Sequence, residues 1–409
     1  MRRVPRVVPN HNGLGSHDSG RLVYLDYHAT TPVDPRVLDV MLWYLRIAFG
    51  NASSVDHTFG DEAERAVTAA QGHIAALVGT TPRNVIFTSG ATESANLAII
   101  GFAAARRRES AATPLRIALS AVEHHAVRET CLELARAGFA KLTWLPVDCA
   151  ARVELGAVEA ACRAGVDLLC LMAANNEVGT IYPLEEVGRI AREHGAHLFS
   201  DAAQAVGKIP LRFDDWRLSL LSLSAHKLYG PKGVGALIVS PDAPIEPIMH
   251  GGGQQRGLRP GTVNVPGIAA LGEACKLRTA EMADDESAVA TKRDHLQMLL
   301  TDAISELVVN GDLRNRLAGN LHVSVPDVPN GAVVARLRHR VALSTGSACS
   351  SGIEAPSHVL SAMNLPESLV SGALRISLGK FTSEDDITTA AAAIVDAVRS
   401  SREVIATER

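Results

Sequence analysis

The sequence predicts an α/β fold organised on a mainly parallel sheet, followed by a smaller α+β domain. Three observations carry that expectation. From about residue 22 to residue 265, short apolar runs alternate with amphipathic helical stretches, the pattern of successive βαβ units. The run Val166 to Ala173 is apolar almost throughout, as a strand covered on both faces should be. Several runs also stop abruptly in polar or glycine-rich clusters, and open α/β sheets bind ligands at the carboxyl ends of their strands.

In chain order, Leu22 to Tyr27 reads as a short strand, and His28-Ala-Thr-Thr-Pro32-Val-Asp-Pro35 breaks it ahead of an amphipathic helix from about Arg36 to Ile47. A long helix follows from about Gly60 to Val78, with Glu62, Glu64 and Arg65 on its wet face. Val85 to Thr88 is a β-rich run that meets Ser89-Gly90, and Ala91-Thr-Glu-Ser94 then opens a helix. Free N–H groups and the positive helix end there make a phosphate seat, with Thr92 adding a hydroxyl. A plain capping turn with Thr92 as N-cap fits the same residues.

Arg116 to Ser120 is the next strand, ending near Glu123, His124 and His125. A histidine past a strand tip can stack on a flat ring, and no spaced third ligand accompanies the pair to suggest zinc. The Val166 to Ala173 strand breaks at Asn175-Asn-Glu177, Leu184 to His194 is a crossover helix, and His197 to Asp201 is another strand with Gln204 one turn on. A carboxylate such as Asp201 at a strand tip is either a cap or the partner of a protonated ring nitrogen.

The central stretch is Leu218 to Gly235, an apolar run that ends in Ser224-Ala-His-Lys227 and a Gly/Pro cluster. An amine delivered there, desolvated and beside a hydroxyl and an imidazole, suits a Schiff base to a carbonyl cofactor bearing an anionic group, and the cofactor expected is pyridoxal 5'-phosphate. A surface lysine in a loop is the alternative for this motif alone. Val234 to Val239 is a further strand, and the glycine-rich His250 to Pro266 is a loop serving a ligand or a subunit contact.

From about Gly267 two helical stretches run to Leu307. Beyond them the expected strands are Asn320–Val325, Ala342–Ser344 and Ala373–Leu378, and the expected helices are Ala332–His339, Ser357–Met363 and Asp385–Ser400. The domain division is a flexible extension over 1–20, a segment over 21–34 packing on the small domain, a large domain over 35–264 and a small one over 265–409. Cys349 lies in Ser344-Thr-Gly-Ser-Ala-Cys-Ser-Ser-Gly352, among small residues that leave a thiol open to reaction. Arg375, inside a strand, needs an anionic partner: a substrate carboxylate or a structural ion pair.

The 409 residues carry a formal net charge of −4, which gives no reason to expect nucleic acid or an acidic membrane surface as a partner. The six cysteines form no Cys-x-x-Cys pair, in keeping with reduced thiols in the cytoplasm. No apolar run reaches membrane-spanning length. Arg2, Arg3 and Arg6 stand among turn-forming residues without the apolar stretch of a secretory signal.

Taken together, Tyr24 to Pro32, Thr88 to Ser94, Glu123-His124, Asn175 to Gly179, Asp201 to Gln204, Ser224 to Gly233, Gly251 to Thr262, Ser344 to Ser350 and Arg375 to Phe381 resemble the cysteine desulfurases of NifS/IscS type. These are class V aminotransferases of the pyridoxal-phosphate fold type I. The resemblance implies that Lys227 carries the cofactor and moves protons, that His124 stacks on its ring, and that Asp201 pairs with the ring nitrogen. It further implies that Gln204 and Asn176 bond near the phenolic oxygen or the substrate. Ala91, Thr92, Ser224 and His226 would hold the phosphate, with Thr262 reaching in from the other subunit of a homodimer. Arg375 would hold the carboxylate of L-cysteine, and Cys349 would take its sulfur as a persulfide, releasing alanine and passing sulfur to a protein acceptor.

Three positions depart from the family pattern. Ala225 replaces the usual glycine of Ser-Gly-His-Lys, the residues after Cys349 differ, and the chain ends soon after its last helix. The last two bear on which acceptor is served: iron–sulfur assembly, tRNA thiolation or DNA phosphorothioation. A selenocysteine lyase, another class V enzyme and a non-catalytic protein of the same fold are the competing readings.

Overall fold

The computed structural model describes residues 22–109, 113–345 and 357–408. Its first half runs β1 (Val23–Tyr24), α1 (Pro35–Arg46), α2 (Thr58–Val78), β2 (Val85–Thr88), α3 (Ala91–Glu109), β3 (Leu115–Ser120), α4 (His125–Arg136), β4 (Ala140–Leu145), α5 (Leu155–Arg163), β5 (Leu168–Cys170), α6 (Leu184–Glu193), β6 (His197–Asp201), β7 (Leu220–Ser224) and β8 (Gly235–Val239). Then follow α7 (Val265–Ala303), β9 (Val308–Val309), β10 (Asn320–Ser324), α8 (Asn330–Leu337), β11 (Val341–Ala342), α9 (His358–Ala362), α10 (Glu367–Ser371), β12 (Ala373–Ser377) and α11 (Glu384–Glu408).

Seven strands form one sheet in the order β2-β8-β7-β6-β5-β3-β4. All neighbours are parallel except β8, which runs antiparallel to both β2 and β7. Alternate residues of these strands enter different cores. Phe87, Ala118, Leu169, Leu198, Leu221 and Ile238 join the core beneath α2, α5, α6 and the first part of α7. Ile86, Ile117, Leu168, Phe199, Leu220 and Leu237 join the one beneath α3 and α4. Burial on both faces explains why these strands are almost uniformly apolar. A third core joins the second part of α7 to β1, β10, β12, α8 and α11.

The two-stranded pair β1-β11 is parallel, and β12-β10-β9 is antiparallel. An isolated parallel bridge between Asp26 and Ser377 continues the chain after β1 alongside β12. This stitching brings the segment after β1 back toward the tips of the large sheet.

The expected pair of helices after Gly267 is a single 39-residue helix, α7. The sequence between Cys275 and Val289 contains neither glycine nor proline, so nothing local ends the helix, and its two ends serve different cores. The expected strand over Val166–Ala173 is confined to Leu168–Cys170, and the last helix continues to Glu408 instead of stopping at Ser400. Strand β4 and helices α4 and α5 were not among the expected elements. Strand β4 lies at the sheet edge with Lys141 and Trp144 exposed, so its composition lacks the apolar run that marks the inner strands.

Candidate active site

Three strand ends converge at Gly235. In the register of the sheet Thr88 of β2 and Ser224 of β7 both stand opposite it. A methyl group on Gly235 would lie 2.4 Å from the Leu223 carbonyl oxygen and 2.7 Å from Gly90 Cα, so only glycine lets these backbones close. Gly90 itself has φ 154, and a Cβ there would sit 3.5 Å from Ser224 Oγ. The start of α3, with Ala91 and exposed Thr92, is therefore beside Ser224. Thr92 falls inside the helix and does not precede it, so the capping alternative is set aside. The first N–H groups of the 19-residue α3 have no partner within the helix. His226, on the turn after β7, is held through Nδ1 at 3.2 Å from Thr30 Oγ1. Burial and the nearby Lys227 push its pKa down to about 4.

Lys227 ends the same turn. Its Nζ donates to the main-chain oxygens of His28 at 2.5 Å and Ala29 at 2.8 Å. Burial first, and then the positive charge of Arg375, lower its pKa to about 8 against the pull of Asp201 and Asp26. An amine so placed sheds its proton near neutrality, which nucleophilic attack on an aldehyde requires.

Asp201 is buried at the tip of β6, where Oδ1 accepts from Ser222 Oγ at 3.1 Å and from the Ala203 amide at 3.0 Å. His124 caps α4 by accepting the Ala126 amide on Nδ1 at 3.1 Å. Its ring is open to solvent on one side, yet the protein around it lowers its pKa, opposed by Asp201. The cap holds the ring in one orientation with Nδ1 as acceptor. Beside it Glu123 is fully buried, accepts the Met172 amide at 2.7 Å, and is pushed up to about 8 by burial.

Arg375, on β12, reaches the same place from the smaller sheet. Its guanidinium donates to Asp26 Oδ1 at 2.9 Å and to the Asn176 main-chain oxygen at 3.3 Å, while Nε has no hydrogen-bond partner among the described residues. The structural ion pair considered as an alternative is thus present, and the guanidinium still keeps a donor in reserve. Gln204 is buried, with Nε2 on the His28 main-chain oxygen at 2.9 Å and Oε1 accepting from Lys208 Nζ at 2.8 Å.

The structure thus gathers Lys227, Asp201, His124, Gln204, Asn176 and Arg375 around one centre, with Ala91, Thr92, Ser224 and His226 at the adjoining strand ends. Thr262 is exposed and has no hydrogen bond to this group among the described residues. Cys349 lies outside the described residues. Sequence reasoning missed His28, whose carbonyl receives both Lys227 and Gln204, as well as Asp26 and Lys208. Asp26 and His28 stand in the first motif matched to the family, but nothing local shows that the His28 carbonyl meets a lysine 199 residues away or that the Asp26 carboxylate meets Arg375.

The family model for aminotransferase class-V matches residues 23–389. A relative named cysteine desulfurase IscS, from Anaeromyxobacter sp. (strain Fw109-5), is 44% identical over 384 residues, covering 93% of this chain and 94% of the relative. A solved NifS-like protein superposes with a TM-score of 0.83 at 34% identity, covering 92% of this chain and 99% of that one. A structure described as SspA in complex with cysteine gives a TM-score of 0.78 at 34% identity, covering 88% and 100%. The chain belongs to the aminotransferase class-V family, whose fold type I enzymes depend on pyridoxal phosphate. Within that family it groups with the cysteine desulfurases of NifS/IscS type.

The residues present fit that cofactor. The close packing at Gly235 and Gly90 sets the N-terminus of α3 beside the Ser224 hydroxyl, which suits a phosphate. The buried Asp201 carboxylate suits a protonated pyridine nitrogen, and the amine of low pKa suits an aldehyde carbon.

Proposed function

We propose that this chain converts L-cysteine to L-alanine, taking the sulfur onto Cys349 as a persulfide for delivery to a protein acceptor. The observation that carries the reading is the Lys227 amine, set at a strand tip within electrostatic reach of both Asp201 and Arg375, in a chain of this family. The reaction balances without an outside oxidant: cysteine and the Cys349 thiol become alanine and the Cys349 persulfide.

Ala91, Thr92, Ser224 and His226 would hold the phosphate, Asp201 would pair with the ring nitrogen, and the capped His124 ring would stack on it. When bound, the cofactor supplies the electron sink that makes the substrate's Cα proton and Cβ–S bond labile. Lys227, relieved of its proton, would hold the cofactor through its amine and would move protons at the substrate's Cα. Arg375 binds the substrate carboxylate with the donor it holds in reserve, while Asp26 and the Asn176 carbonyl fix its plane. Asn176 and Gln204 orient substrate and ring from the edge. Cys349, as thiolate, attacks the sulfur.

The working unit is a homodimer. Trp43, Leu45, Ile47, Phe49, Val55 and Phe59 leave a large apolar surface exposed on the single chain, which a second copy would cover while bringing in Thr262. The chain divides at about residue 264, and the segment over 21–34 goes with the smaller domain, as supported by Val23 and Leu25 packing in its core. The enzyme works in the cytoplasm: its described cysteines are free thiols, and no described helix is long and apolar enough to cross a membrane. The acceptor belongs to iron–sulfur assembly, tRNA thiolation or DNA phosphorothioation.

The test is mass spectrometry of the Cys349 peptide after cysteine is added to the purified holoenzyme and thiols are alkylated. A mass increase of one sulfur is expected, together with loss of alanine production in Cys349→Ala. Undiminished alanine and sulfide from Cys349→Ala, without added thiol, overturns the nucleophile assignment and leaves a lyase that needs no protein persulfide.

A further inference from the structure

Behind Lys227 lies a second lysine that the mechanism above does not use. Lys208 is half-buried, its amine enclosed by protein, and its Nζ donates to Gln204 Oε1 at 2.8 Å. An ammonium presents only hydrogens to its partner, so while Lys208 is protonated Oε1 of the Gln204 amide faces it. The NH2 end is thereby turned to the His28 carbonyl at 2.9 Å, the same oxygen that receives Lys227 Nζ. A carbonyl oxygen has two lone pairs, and here both have donors.

We propose that Lys208 is a positioning residue: it fixes the sense of the Gln204 amide and, through the shared His28 carbonyl, sets how firmly the Lys227 amine is held. Four groups form one chain, from Lys208 through Gln204 and the His28 carbonyl to Lys227, contributed by the turn after β6, the segment after β1 and the turn after β7. With the Gln204 NH2 on one lone pair, the oxygen's pull on the Lys227 ammonium is shared. Were the amide free to rotate, its own oxygen could not face that carbonyl, and Lys227 would become the sole donor. The protonated amine would then be favoured, and a larger fraction would be unavailable to react with an aldehyde. The Ala29 carbonyl holds Lys227 in either case.

Charge alone acts in the same direction and has to be separated. Glu286 on α7 pulls toward protonation of Lys208, while Lys227, Arg278 and Arg375 oppose it. Lys227 is acted on by Arg375, Asp201 and Asp26, and it in turn lowers the pKa of His124 and His226. Lys208→Met removes both the charge and the amide's orienting donor. Gln204→Leu removes the amide and leaves the charge in place.

The inference rests on Lys227 being the cofactor-bearing amine, and the experiment checks that separately. Borohydride reduction of the holoenzyme, then peptide mass spectrometry, is expected to find the cofactor on Lys227; its attachment elsewhere would overturn the reading of the site. The full chain stripped of cofactor with a carbonyl-trapping amine is then labelled with limiting acetic anhydride across a pH series, and the Lys227 peptide is quantified. Lys208→Met and Gln204→Leu are each expected to raise the pH midpoint of Lys227 labelling by about one unit, the size of one charge-assisted hydrogen bond. The double variant is expected to shift no further than Lys208→Met alone, since both substitutions cut the same chain and only that one also removes a charge. Lys208→Arg, which keeps a donor, is expected to return toward the parent midpoint. An unchanged midpoint in Gln204→Leu, or additive shifts in the double variant, overturns the relay even if Lys208→Met fails to fold.

Discussion

Two buried arginines, Arg278 on α7 and Arg375 on β12, are exposed to only 1% and 4%. Arg278 is saturated: Nε donates to the Gly207 carbonyl at 2.7 Å, and its two terminal nitrogens meet Asp285 and Glu286, the latter at 2.9 Å. Arg375 has one carboxylate, Asp26, one carbonyl, and a buried Nε without a partner among the described residues. Burying a guanidinium demands compensation, and Arg278 has a partner at every nitrogen while Arg375 does not.

The most direct way to break that contrast is Arg375→Gln. Loss of a partner for the substrate carboxylate is expected to lower kcat/KM for L-cysteine by roughly 30-fold to 3,000-fold, the equivalent of about 2 to 5 kcal/mol. A rise in KM on steady-state assay, beyond any stability lost with the Asp26 pair, would support the ligand role; a large loss of stability with KM intact would make Arg375 another Arg278. The converse is expected of Arg278→Met, which strands the Asp285 and Glu286 carboxylates. Urea unfolding should show a loss of about 3 to 5 kcal/mol, while KM for cysteine stays the same in the folded fraction.

Gly235→Ala probes the close approach of strand ends beside the proposed phosphate seat. Its methyl would meet Gly90 Cα and the Leu223 oxygen, main-chain atoms that cannot turn aside. A loss of about 1 to 3 kcal/mol, typical of overpacking, is expected, together with weaker pyridoxal phosphate retention on dialysis. Retention equal to the parent would show that the phosphate seat is elsewhere.

The smallest effect is expected from a buried carboxyl without a cation. Glu123 has a folded pKa of about 8 against an ordinary 4.5, so its ionised form is the disfavoured one. Below pH 4.5 it is neutral in folded and unfolded chains alike and costs nothing; between pH 4.5 and about 8 the unfolded chain ionises first, and stability falls as pH rises. Glu123→Gln keeps an oxygen for the Met172 amide and removes the titration. Its thermal midpoint is expected to exceed the parent's by a few degrees above pH 8, with the gain shrinking toward pH 4.5. A gain independent of pH would show that Glu123 is not the titrating group.

The strand-tip logic was legible where the signal was local. Asp201, Ser224 and Lys227 stand where apolar runs stop, and the structure puts Asp201 and Ser224 at the ends of inner strands of the large sheet and Lys227 on the turn just after. The Ser89-Gly90 junction announces a helix start, and α3 begins at Ala91. Other features had no local signal. His124 reads as a ring for stacking, but its service as the cap of α4 depends on a helix that the sequence pattern left unassigned. The continuity of α7 also escaped, because a helix whose halves face different cores shows no single apolar stripe.

Periodicity and the abrupt ends of apolar runs determine where strands stop and which side chains stand at their tips, since those depend on neighbouring residues along the chain. Tertiary structure alone decided that the His28 carbonyl would receive both Gln204 and Lys227, and that Asp26 would meet Arg375 only in part. Each of these contacts joins segments far apart in sequence. Their partners are whatever donors and acceptors remain unpaired once the sheets have closed.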